Sequence, residues 1–206
     1  GCLMRSALIA GCATLLAAPV AGQDMQTWLL SVDRWGNAEH DILTLEGEGK
    51  TLSGTFGSWP LSGRQDGDQV SFTALDTHGV AYRFEGAMTG DALTGWADYP
   101  DTSNTGPRVR HAARGIRLQM PMGEPGRRTY DPTSFSNTFT ADLPPAMIIQ
   151  PGDVVATRTI DSGGVDEKGQ VVALYGNPQT GPFFVAGAKR GDILAVHIRR
   201  LELNRD

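Results

Sequence analysis

The sequence predicts an all-β protein, and three observations carry that reading. Its 206 residues include 26 glycines and 12 prolines, together with Thr, Val and Asp-Gly or Gly-Asp pairs, a composition that favours strands punctuated by turns over long helices. Two stretches, "QVSFTAL" and "VAYRFEG", alternate apolar with polar residues, so Val70, Phe72 and Ala74, then Val80, Tyr82 and Phe84, share a strand face. Turn signals "EGEGK", "QDGDQ", "DTHG" and "MTGDA" recur at the spacing of an antiparallel meander.

In chain order, the first element is "MRSALIAGCATLLAAPVAGQD". One positive charge at Arg5, an apolar run from Ala7 to Ala18 and small residues at Val20-Ala21-Gly22 read as a secretory signal peptide, assigned to residues 1–22. A lipoprotein reading at Cys12 is disfavoured, because the apolar run before it is too short. Both cysteines, Cys2 and Cys12, leave with the peptide. The mature protein then has neither disulfide nor thiol nucleophile, which suits a bacterial periplasmic or secreted protein. No second long apolar run follows, so the processed chain has no membrane partner.

Hydrophobic residues make up 40% and charged residues 20%, enough to bury a core in one large or two small domains. The net charge of −5 comes without any Lys/Arg-rich run. Nucleic acid is therefore excluded as a partner, since neutralising phosphates requires a basic patch.

Residues 24–118 form the first section, a small antiparallel meander or barrel. Its tryptophans, Trp28, Trp35, Trp59 and Trp96, share no evident strand face, which favours core filling over a ligand-stacking platform. A break over "QMPMGEPG" lacks periodicity and marks a linker at residues 119–129. The second section, residues 130–206, predicts a strand in "PPAMIIQ", a "PGD" turn, a β-branched strand from Val154 to Ile160, and two strands around the Gly-Asp turn in "GPFFVAGAKRGDILAVHIRRLEL".

Read together and in order, "PPAMIIQPGD", "TID" and "NPQTGPFFVAGAKRGD" resemble the N-terminal portion of the acetamidase/formamidase family, over about Tyr130 to Asp206. The resemblance implies an incomplete β-sandwich-like domain that hydrolyses a small amide substrate, such as formamide or acetamide, to a carboxylate and ammonia. It further implies a chain that continues into segments bearing His, Asp and Glu. A divalent metal ion, zinc or similar, would then have ligands mostly outside this chain, and those ligands are left unassigned. An exposed last strand would favour a homo-oligomer.

Amide hydrolysis needs an activated nucleophile and a stabilised oxyanion. Without a mature cysteine there is no nitrilase-type route. Lys50, Lys168 and Lys189 lie near no glycine-serine run, so a Ser-Ser-Lys route is also closed. Water activated by a carboxylate or a metal remains. Asp161 is the catalytic candidate: it closes a β-branched strand before Ser162-Gly163-Gly164, where glycines let backbone amides approach a ligand. The competing role is a turn cap.

Asp166 and Glu167 beside Lys168 read as a solvated turn. Asn177, Thr180 and Gly181 build a rigid loop between Asn-Pro and Gly-Pro pairs and are the candidates for orienting an amide substrate. His197 shares a strand face with Ile193 and Ala195, while His40, His78 and His111 are scattered without a second ligand nearby. Against the amidase stands the alternative of a non-catalytic exported β-protein that binds a ligand or partner.

Overall fold

The computed structural model describes residues 25–100, 106–140, 142–189 and 191–204. The signal peptide read over residues 1–22 lies outside the described residues. Among these the chain is all-β, with twelve strands and no helix, hence no helix long and apolar enough to cross a membrane.

Eight strands build an antiparallel up-and-down barrel: β1 (Gln26–Arg34), β2 (Asn37–Glu48), β3 (Thr51–Phe56), β4 (Trp59–Asp66), β5 (Gln69–Leu75), β6 (Ala81–Thr89), β7 (Ala92–Pro100) and β8 (Arg108–Leu118). Each pairs with the next, and β1 pairs back onto β8, from Thr27 opposite Leu118 to Val32 opposite Ala113. Closure matters because an open sheet of this length leaves two edges of unpaired N–H and C=O groups.

Strand alternation drives the core. Trp28, Leu30 and Val32 of β1, Leu43 and Leu45 of β2, Val70, Phe72 and Ala74 of β5, and Phe84 of β6 are all at most 5% exposed. Their alternate neighbours face solvent, as a closed barrel requires. Phe72 and Phe84 stack across the β5/β6 pair with centroids 5.1 Å apart. Trp28 is fully buried, and its indole N–H finds no hydrogen-bond partner in the protein. Truncation at Trp28→Ala is therefore expected to cost about 3–5 kcal/mol, read as a fall in the urea midpoint. Trp28→Phe should cost much less, since no hydrogen bond is lost.

After the barrel the chain forms two small parallel sheets. Strand β9 (Arg127–Tyr130) pairs with β11 (Val154–Thr157), and β10 (Met147–Ile149) pairs with β12 (Phe183–Val185). The pairing of β9 begins inside the stretch read as a linker. Tyr130 meets Phe183 edge-to-face at 5.4 Å, joining the two sheets. The second section also touches the barrel, where Asp142 accepts from Arg114 at 2.9 Å and lies 3.6 Å from His40.

One expected strand is not formed. Residues 193–203 alternate as expected, yet they adopt no regular structure, and Ile193, Val196, Ile198, Leu201 and Leu203 are each at least 82% exposed. Alternation supplies a face, but a strand exists only when a neighbour takes up its backbone hydrogen bonds. Among the described residues no strand pairs with this segment.

Candidate functional site

In the second section the motif residues, distant in sequence, are stitched together by backbone groups. The Ser162 carbonyl accepts from both Gly176 N–H (3.1 Å) and Asn177 N–H (3.2 Å). Thr180 Oγ1 donates to the Arg158 carbonyl at 3.3 Å, and the Asn137 amide donates to the carbonyls of Leu174, Tyr175 and Gly176. The turn holding Asp161 and the loop holding Asn177, Thr180 and Gly181 thus sit side by side. Asn177 is exposed and adopts φ 58°, and Gly181 adopts φ 122°, conformations that Asn and Gly accept at least cost.

Asp161 Oδ1 accepts from Gly163 N–H (2.9 Å) and Val165 N–H (2.8 Å), while its own N–H donates to Val165 O and Gly164 N–H returns to Asp161 O. The same set of four bonds recurs at Asp76, over Asp76 to Val80 in the barrel, and at Asp166, over Asp166 to Gln170. All three follow a D-x-x-G-x pattern with the glycine at positive φ, namely Gly79, Gly164 and Gly169. Turn formation is thus chemistry that all three aspartates share. What distinguishes Asp161 is its surroundings: Gly164 packs so close to the 172–174 segment that a Cβ would lie 2.3 Å from the Ala173 carbonyl oxygen.

Arg158 gathers charge at the end of β11. It donates from Nε to Asp131 and from Nη1 to both Glu167 oxygens at 3.0 Å. Glu167, read in the sequence as part of a solvated turn, is in fact an ion-pair partner of this guanidinium.

Asp153 of the "PGD" turn clamps the start of the section. It accepts from Gly126 N–H (2.7 Å), Gln150 N–H (3.0 Å) and Arg128 Nε (3.3 Å). The two backbone donors, aided by Arg128, hold its carboxyl below the usual carboxylate range. A depressed folded-state value gives stability that is present above the ordinary aspartate range and lost as pH falls through the folded value. Protection of the Gly126 and Gln150 amides from hydrogen exchange, relative to their intrinsic rates at each pH, should therefore fall in acid, from below about pH 4, and Asp153→Asn should flatten that dependence.

No three His, Cys, Asp or Glu side chains among the described residues come together to hold a metal ion.

A second constellation, missed in the sequence, caps one end of the barrel. Rings run across this mouth in near-continuous contact: Trp35 to His111 (4.8 Å), His111 to Tyr99 (6.3 Å), Tyr99 to Tyr82 (5.0 Å) and Tyr82 to Trp59 (4.7 Å). Arg34 lies among them, its guanidinium carbon 5.6 Å from the Tyr99 ring centroid and 5.8 Å from that of Trp35. Arg34 donates to Glu39 and to the Pro100 carbonyl. Burial first, then the Asp41 and Glu39 carboxylates, push the Tyr99 phenol well above its ordinary value. The expectation that all four tryptophans fill the core needs correction: Trp28 does and Trp59 packs against it, but Trp35 is 64% and Trp96 51% exposed. The signal that could have found the mouth is "RWGN", a two-residue hairpin turn with tryptophan where Asn or Asp is favoured.

Fold and site together define a two-part all-β protein, an aromatic-mouthed meander barrel followed by a loop-rich section of short parallel sheets. No family model matches the chain, and no curated protein or solved structure matches it either.

Proposed function

We propose that the chain belongs to an exported amidase that hydrolyses short linear amides, formamide or acetamide, to a carboxylate and ammonia. The observation that carries this reading is the meeting of the "TID" turn and the "NPQTGP" loop, separated in sequence but joined through the Ser162 carbonyl. That juxtaposition sets a carboxylate-bearing turn beside a polar loop, the pairing that water-based amide hydrolysis requires.

In this reading Asp161 takes a proton from water as the water oxygen attacks the amide carbon. The C–N bond then breaks, and the proton passes to the departing nitrogen, releasing ammonia. Asn177 and Thr180 orient the amide, and Gly181 lets backbone approach it. The test is ammonia release from formamide and acetamide by the exported protein expressed from its complete gene, with and without chelator. Turnover of either amide is expected, and no turnover on these or on longer linear amides overturns the reading.

A further inference from the structure

We propose that Ser31, His40 and Asp142 form a Ser-His-Asp triad on the outer wall of the barrel, and that it hydrolyses short-chain esters. Ser31 is the direct partner of His40 across β1 and β2 and of Arg114 across β1 and β8, so the three side chains stand in one row. That row lies on the face opposite to the core-facing Leu30 and Val32. Asp142 of the second section completes the group.

Ser31 Oγ lies 2.7 Å from His40 Nδ1, and His40 Nε2 lies 3.6 Å from Asp142 Oδ1. An ionised carboxylate only accepts hydrogen bonds, so its place beside Nε2 favours the ring proton there. Nδ1 is then the acceptor, to which the Ser31 hydroxyl donates. The 3.6 Å separation exceeds a hydrogen bond, and catalytic contacts of this kind are often long until substrate binds. Asp142 is itself anchored: Oδ1 accepts from Arg114 Nη2 at 2.9 Å and Oδ2 from Thr140 Oγ1 at 3.3 Å. A nucleophile held by a base, and a base oriented by a fixed carboxylate, define acyl transfer by roles rather than by order in the chain.

In the first step Ser31 Oγ attacks the ester carbonyl carbon, and its proton passes to His40 Nδ1. The C–O bond to the alcohol breaks, and that proton leaves with the alcohol. Water then attacks the acyl-serine through the same base, which releases the carboxylic acid and restores the Ser31 hydroxyl. Asp142 acts through His40 as a positioning residue. Because β1 is paired on both sides of Ser31, backbone N–H groups there serve the ladder, and Arg114 meets the oxyanion instead. One exposed cation is a weaker oxyanion site than paired backbone donors, which suits the better leaving group of an ester over that of an amide. Ser31 is half-buried, and this limits the acyl group to a short one.

The test treats the full-length protein, expressed from its complete gene, with a fluorophosphonate, whose fluoride is displaced by an attacking serine oxygen, and follows p-nitrophenyl acetate hydrolysis alongside. Mass spectrometry should place the phosphonate on Ser31. His40→Asn should slow both labelling and ester hydrolysis by about 10²-fold or more. Asp142→Asn, which removes the charge that orients His40, should lower kcat by roughly tenfold or more with KM unchanged. Ser62→Ala, at an exposed serine on β4, should react like the parent. An unlabelled Ser31 in the parent, parental rates in His40→Asn or parental kcat in Asp142→Asn overturns the inference.

Discussion

Gly86→Ala is expected to break the barrel. A Cβ at Gly86 would lie 2.2 Å from the Thr94 carbonyl oxygen and 2.8 Å from the Gly95 Cα. The facing residue has the same problem in reverse: a Cβ at Gly95 would lie 2.3 Å from the Glu85 carbonyl oxygen and 2.6 Å from the Gly86 Cα. Gly86 and Gly95 are direct partners across β6 and β7. The closest obstructing atoms belong to backbone, and the third at Gly86, 2.9 Å away, is on the ring of Phe84, which is itself buried in the core, so moving a side chain cannot make room.

The cost should reach or exceed the ~3 kcal/mol upper range of ordinary overpacking, a large part of the ~5–15 kcal/mol that holds a domain together. Urea unfolding should show a sharp fall in midpoint. Gly90→Ala is the control: Gly90 has φ 59° but open space around it, and it should cost only about 1–2 kcal/mol. Near-parental stability in Gly86→Ala would mean that the strands do not approach so closely.

On the proposed amidase reading, Asp161→Asn should lower kcat on short amides by about 10²–10⁴-fold while leaving the unfolding midpoint almost unmoved. An asparagine side-chain oxygen can still accept from Gly163 and Val165, the two bonds that define the turn. What it cannot do is take a proton from water. Asp161→Ala removes both roles and should add a stability loss of about 1 kcal/mol for the missing turn bonds. Asp76→Asn, the same turn in the barrel, should leave activity intact. Full kcat in Asp161→Asn would assign its carboxylate to the turn alone.

Much of the barrel was legible because period-two alternation is a local property. The residues that share a face in "QVSFTAL" are buried together, with Val70, Phe72 and Ala74 at most 5% exposed. The turns were legible for a related reason: Asp and Gly at fixed spacing form the same four-bond loop at Asp76, Asp161 and Asp166, although the same spacing at Asp33 closes a hairpin instead. Less legible was the outer half of the second section. Residues 193–203 carry a strand-like pattern, but pairing is a relation between two segments, and one segment cannot disclose it.

The mouth was illegible for a different reason. Arg34, Tyr82, Tyr99 and His111 come from four strands and share no motif, and only closure of the sheet sets them around one opening. By itself, then, the sequence determined the all-β class, the strand faces and the turn chemistry, all of which depend on neighbours a few residues apart. Tertiary structure alone decided that β1 returns to β8, that Gly86 and Gly95 must meet without side chains, and that Trp35 stands exposed over a buried histidine. Those outcomes depend on contacts between residues far apart in the chain, and such contacts exist only once the barrel has closed.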